Sequence, residues 1–248
     1  MSDEKELNKK YEFTDETIEV DGHVLHRIKA LRYIEAENVY AYKGDLGGFI
    51  ESEDNLDIYD DSWVANNAMV YDGAYVCEAA SIEEHASVHG HVIIRGKSYI
   101  GDNAYITSGD NRYAEIIIDG DIQITDSAHI EGDLELYGIA EICRNAKIAS
   151  LDDILVISGI GSENRTTTFF KCEDTTIKVK CGCFCGTLDE FEEQVIAHHG
   201  DNRFAQEYLH MIEIVKAHFG ILYKVVPLKR YGYSIYEKLQ MIKNIIKM

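Results

Sequence analysis

The chain has one proline, one tryptophan and no long apolar run. A membrane-spanning helix needs about 20 consecutive apolar residues, so no membrane role is expected. The lone Pro227 argues against proline-rich linkers and for few irregular loops. The start, MSDEKELNKKYEF, lacks the apolar stretch of a secretory signal, so a cytoplasmic location is expected. Six cysteines in such a chain are expected as reduced thiols rather than as a disulfide framework.

Positive charge is also scarce. Lys and Arg number 24 against 44 Asp and Glu, a net charge of -20. The deficit is local: residues 44–160 hold 23 acidic and 5 basic side chains, a net of -18. Such a surface repels a nucleic-acid backbone and suits a basic partner. The glycines of GDLGGF, residues 44–49, resemble a phosphate cradle only superficially. No GK[ST] follows and the neighbours are acidic, so a sharp turn is expected there and no cofactor.

What the sequence does have is a period. Every sixth residue from Ile58 to Ile154 is Val, Ile or Leu in sixteen of seventeen slots, the exception being Arg112. The slot two residues earlier is mostly Ala or Ser, as at Ser62, Ala68, Ala74, Ala80 and Ala86. A helix drifts off a six-residue period because 3.6 does not divide six, whereas three strand alternations fit it. Short parallel strands stacked at this period form a β-helix. The weak spot is GDNRYAE, residues 109–115, where Asp110 and Arg112 take both inward slots of one hexad. A bulge, an extruded loop or a distorted corner is expected there.

An uninterrupted count of eighteen residues per coil puts Trp63, Ser81, Tyr99, Ile117, Glu135 and Asp153 on one face. A second face runs Met69, Ser87, Tyr105, Gln123, Glu141, and a third Tyr75, Ile93, Asn111, His129, Lys147. An apolar stripe such as Trp63–Tyr99–Ile117 marks a covered surface. The cover is expected from the chain's own terminal segments, from a second copy or from a foreign partner. Trp63, Tyr99 and Ile117, with Asp110 and Arg112 at the break, are therefore the candidate partner-binding residues. Upstream, YEFTDETIEVDGHVLHRIKALRYI, residues 11–34, reads as a hairpin turning at Asp21-Gly22.

The aliphatic-then-small hexads resemble those of left-handed β-helices, in which three hexads make one triangular coil. The phrases LHRIKALRYI and GDLGGFIESEDNL, the hexads from DSWV onward and the segment from FFKCEDTTIKVKC to IVKAHF resemble one family in particular. It comprises phage- and prophage-borne hexapeptide-repeat proteins, often labelled polymer-forming or transferase. The resemblance spans residues 11–220. It implies a mainly β chain: a left-handed parallel β-helix of five to six coils, an N-terminal hairpin and a small C-terminal α/β cap. The expected units are residues 1–43, 44–160 and 161–248. The resemblance implies no activity, since a fold hosts many functions.

Hexapeptide acyltransferases use a histidine base at a trimer interface. The candidates here are His85, His89, His91 and His129. His85 and His91 lie one hexad apart on successive faces and do not converge. Cations inside the coils are few, so no cofactor-phosphate site is expected. A solvated surface is the expected place of these histidines, with acyl transfer kept as an alternative.

Residues 161–248 read as a separate unit. TTTFFKCEDTTIKVKC suggests two strands turning at Asp174-Thr175, pairing Cys172 with Ile177, Phe170 with Val179 and Thr168 with Cys181. Thr187 and Glu190 form a capping box for a helix that ends at Gly200, and a second helix is expected over 202–219. A third is expected from the capping box Ser234-x-x-Glu237, in a basic stretch from Lys224. Cys181, Cys183 and Cys185 are expected on one face of a continuing strand, as small hydrophobes. A metal site of Cys172, Cys181, Cys183 and Cys185 would require a break at Gly182 or Gly186.

The expected function is a non-enzymatic phage-type binding or assembly protein, homo-oligomeric, whose rigid acidic β-helix docks on a protein with a basic surface. A nucleic-acid-binding protein of host antiviral defence fits that description. A self-assembling structural protein is the other alternative.

Overall fold

The structure is a computed structural model that describes residues 9–221. It is mainly β, a parallel solenoid of about six coils capped by antiparallel strands at one end and an α/β module at the other. Each coil is built as the period requires. Ser87 pairs with Tyr105 and with Met69, each eighteen residues away, and Trp63 pairs likewise with Ser81. The aliphatic slots point inward, and Val64, Val70, Val76, Ile82, Val88 and Ile94 are wholly buried in one continuous core.

Corners turn through the left-handed region. Asn66, Asp72, Glu78, Glu84, Asp102, Asp126 and Arg144 all have φ between +55° and +65°. With Gly90, Gly96, Gly120, Gly132 and Gly138 they occupy a single slot of the six-residue period. Glycine is free of the Cβ clash there, and Asn and Asp tolerate it best among the others. At several of these corners an acidic side chain of the neighbouring coil accepts the hydrogen of the corner amide. Asp126 N–H donates to Asp102 (2.9 Å), Arg144 N–H to Asp126 (2.8 Å) and Gly96 N–H to Glu78 (3.0 Å). Part of the acid in the coils is therefore structural.

The first coil spans twenty residues, Phe49 pairing with Met69 and Leu56 with Val76, and from Trp63 onward the count of eighteen is interrupted once. Tyr105 pairs with His129 and Ile93 with Ile117, twenty-four residues on instead of eighteen. The extra hexad lies between the strands Tyr105–Thr107 and Ile116–Ile124 and loops out of the solenoid. Asp110 and Arg112 are exposed there rather than inward. The uninterrupted face assignment is thereby corrected. The true faces run Trp63–Ser81–Tyr99–Gln123–Glu141, Tyr75–Ile93–Ile117–Glu135 and Phe49–Met69–Ser87–Tyr105–His129–Lys147.

Both ends are covered. The hairpin of Tyr11–Val20 and His23–Ala30 turns at Asp21 (φ +52°) and Gly22 (φ +87°) and adds two antiparallel strands to one solenoid face. This protects a parallel edge from pairing with another chain. At the other end Ile154–Ile160 opens a four-stranded antiparallel sheet, so the last aliphatic slot, Ile154, belongs to the cap. There Phe169 pairs with Val179 and Thr167 with Cys181, one residue off the expected register. Helices α1 (Leu188–His199) and α2 (Arg203–His218) pack on this sheet through Phe191, Val195, Tyr208 and Ile212. The Thr187–Glu190 capping box and the Gly200 C-cap are as expected. The third helix and the basic stretch from Lys224 lie outside the described residues.

Candidate binding surface

The extruded hexad sits at a corner between two faces. Tyr113 is 77% exposed at its tip, and the Arg112 guanidinium lies 4.8 Å from the Tyr113 ring centre while donating to its hydroxyl (2.6 Å). Delocalised charge over an aromatic face is favourable and holds the pair together. The loop closes onto the next coil, where Glu115 N–H donates to Asp133 (3.2 Å). Glu115 thus adjoins Asp133, with Glu131 and Glu135 on either side of it in the adjoining coil and Glu131 pairing with Lys147. Asp110 is exposed in the same loop beside the Arg–Tyr knuckle. Ile117 flanks it on the face of Ile93 and Tyr75, half-buried.

Of the five candidate residues, the register brings Asp110, Arg112 and Ile117 to this corner and its adjoining face. The other two lie on a different face. Trp63 is only 1% exposed. The short hairpin of Ile34–Ala36 and Val39–Ala41 covers that face, with Ser81 donating to the Glu37 carbonyl (2.5 Å) and Glu37 N–H to Ala79 (2.7 Å). Among the sources of cover expected from the sequence, the chain's own N-terminal segment is the one observed at Trp63. Tyr99 lies further along, half-buried, and its hydroxyl is pushed up to about 12 by burial and by Glu83 and Asp102.

Glu83 lines a cleft of about 500 Å³ with Asn38, Tyr40, Leu46, Trp63 and Asn66. Burial, and then the charge of Glu84, push its carboxyl up to about 7 from an ordinary 4.5. Between these pH values the folded state binds a proton that the unfolded state has released, so stability falls as pH rises through the window. Glu83→Gln keeps a neutral group at all pH. It is expected to be about 1 kcal/mol more stable than wild type near pH 8 and nearly neutral near pH 5, read from urea unfolding. Parallel pH profiles for the two proteins would contradict the assignment.

The inserted hexad also adds His129 to a column of Tyr71, His89 and Tyr105 that precedes it. Tyr71 stacks on His89 at 4.7 Å, His89 meets the Tyr105 hydroxyl at 2.7 Å, and the Tyr105 and His129 rings lie 4.9 Å apart. His129, expected on another face, is shifted by one hexad to lie beside Tyr105, which separates it from His89. Burial holds His89 below its ordinary pKa, so it is a neutral hydrogen-bonding partner of Tyr105 near pH 7. His85 and His91 are exposed.

The cysteines divide differently from the expected single face. The strand ends at Cys181, turns through Gly182 (φ +57°) and returns from Phe184, so Cys181 pairs with Phe184 and Lys180 with Cys185. Cys181 packs under the helices, whereas Cys172 and Cys185 pack against the solenoid core. Cys181 and Cys183 line a cavity of about 210 Å³ with Arg165, His198, His199 and Tyr208. The four cysteines therefore do not converge, and among the described residues no three His, Cys, Asp or Glu side chains are placed to share a metal ion. No described helix is long and apolar enough to cross a membrane.

No protein-family model matches the chain, and no curated protein matches it significantly.

Proposed function

We propose that the protein is a binding module whose acidic solenoid docks on the basic surface of a protein partner, with the extruded Asp110–Glu115 corner as the contact that gives specificity. The observation that carries this reading is the net charge of -18 over residues 44–160 on a scaffold with a projecting loop. A corner carboxylate that accepts one backbone N–H keeps its full charge, so structural use of Asp102 or Asp126 does not remove them from the surface field. A single-sign field over a rigid face raises encounter rates with an oppositely charged partner and rejects like-charged ones. Strongly basic protein surfaces commonly serve to bind nucleic acid. The partner class we favour is accordingly a nucleic-acid-binding protein of a bacterial host's antiviral defence, which the phage-type resemblance of the sequence also suggests.

The test is affinity capture from a bacterial host lysate at about 50 mM and about 500 mM salt, with mass spectrometry of what is retained. A basic protein held at low salt and released at high salt is expected. Capture that is indifferent to salt, or capture of acidic proteins, would sink the reading.

A further inference from the structure

The hairpin turn at Gly182 has a consequence for the solenoid end. It directs Cys185 away from Cys181 and toward Cys143, which follows the strand Leu134–Ile142 at the corner of the last coil. The two sulfurs are 3.2 Å apart although the residues are 42 apart in the chain. Several contacts fix this juxtaposition. Lys180 of the same hairpin pairs with Glu141 (3.0 Å), and Glu141 N–H donates to Thr168 (3.1 Å). A disulfide needs sulfurs about 2.05 Å apart, so closure requires a movement of only about 1 Å.

We propose that Cys143 and Cys185 are an oxidation site, in which a peroxide converts the two thiols to a disulfide that locks the C-terminal module onto the solenoid. Cys185 is the attacking group, because it is half-exposed while Cys143 is buried. The S–H of Cys143 donates toward it, and the Arg144 and Lys180 charges add to that, so against its burial the Cys185 thiol lies below the ordinary thiol range. Cys143, as donor in the pair and buried, is pushed up. Asp126 is the acid facing the pair, and its effect on Cys143 has the same sign. The Cys185 thiolate attacks one peroxide oxygen, the O–O bond breaks, and the departing hydroxide takes a proton to leave as water. Cys185 is then a sulfenic acid. The Cys143 sulfur attacks it, the S–S bond forms, and the Cys143 proton leaves with the displaced hydroxide as a second water. Two thiols and one peroxide thus give one disulfide and two waters.

Other thiols lack this arrangement. Burial pushes Cys77 and Cys172 each up to about 11, Cys181 accepts from the Thr167 hydroxyl (3.2 Å), and Cys183 is exposed.

The experiment treats the reduced full-length protein with a modest excess of hydrogen peroxide, alkylates what remains, digests without reductant and maps the peptides by mass spectrometry. The expected result is one dominant intramolecular link between Cys143 and Cys185, an intact mass lower by about 2 Da, and reversal by dithiothreitol. In Cys143→Ser the Cys185 sulfenic acid is expected to persist and to be trapped by dimedone. Cys185 in wild type is expected to be consumed about tenfold faster than the exposed Cys183. A dominant link through any other cysteine, or Cys185 oxidised no faster than Cys183, would overturn the proposal; the wild-type mapping decides even if the variant fails to fold.

Discussion

Gly120→Ala is expected to lower the free energy of unfolding by about 3 kcal/mol or more, among the largest effects of a single methyl group in this chain. Gly96, Gly120 and Gly138 stack along one solenoid edge, paired coil to coil. At Gly120 φ is +133°, a conformation that L side chains rarely adopt, and an added Cβ would overlap the Gly138 carbonyl oxygen. The obstacle is backbone held by the strand ladder, so it cannot rotate aside as a flexible side chain would. Relief would require separating two coils whose register runs through nine residue pairs. The Gly120 carbonyl also accepts from Lys97 N–H (2.7 Å), so displacement in the other direction breaks a second ladder. Gly138 supplies the control. Its φ is +92°, but an added Cβ meets nothing within 4 Å. Gly138→Ala pays only for the backbone conformation and is expected to cost about 1 kcal/mol. Urea unfolding followed by circular dichroism measures both. Equal, small losses would mean that the coils are not stacked as closely along this edge as described.

Removing residues 109–114, with Ser108→Gly to suit the corner, is expected to leave the fold intact and to reduce partner retention by about tenfold or more, the loss of a hot-spot cluster. The deletion takes out six residues from a turn of twenty-four, which restores the eighteen of the coils on either side. At the same corner two residues link His89 to Val92 and two link Glu131 to Leu134. The glycine substituted for Ser108, followed directly by Glu115, would make an equivalent two-residue link from Thr107 to Ile116. The strands above and below already pair across this coil, and Ala114 is the one residue of the removed segment that is buried. The thermal midpoint is therefore expected to shift by only a few degrees, about 1 kcal/mol in stability. Full retention of the partner by a folded deletion variant would show that the loop does not contribute to binding. An unfolded variant would show instead that the hexad belongs to the solenoid rather than being looped out of it.

This loop also explains what the sequence left unread. An insertion of six residues keeps the six-residue phase, so Ile118, Ile124 and Ile130 stay in the aliphatic slots and the count runs on without a visible slip. The triangular phase is what shifts, by one face in three. Ile117 moves beside Ile93 instead of Tyr99, and His129 moves beside Tyr105. The available signal was chemical: Asp110 and Arg112 would be two charges in an aliphatic core, which a solenoid rejects by expelling the hexad. The corner slot was legible too, since Asn, Asp and Gly recur in it at the same period, and it foretells the left-handed turns. Cover of Trp63 by the chain's own N-terminal segment was among the sources legible in the sequence; which stretch supplies it was not, because that depends on how the 34–41 hairpin folds back onto a distant coil. The cap register failed by one residue because Phe169 and Phe170 are both buried, so alternation does not say which faces the helices. At Gly182 the alternation was carried through a turn, and the Cys143–Cys185 contact was lost with it.

The most direct test of the proposed function is the affinity of the captured partner as a function of salt. It should be measured for wild type and for a variant with Asp110, Glu115, Asp133 and Glu135 changed to their amides. Wild-type affinity is expected to fall steeply between about 50 and about 500 mM salt, and the variant to bind more weakly with a shallower slope. An affinity that does not change with salt, or a variant with the wild-type slope and strength, would contradict docking through the acidic coils.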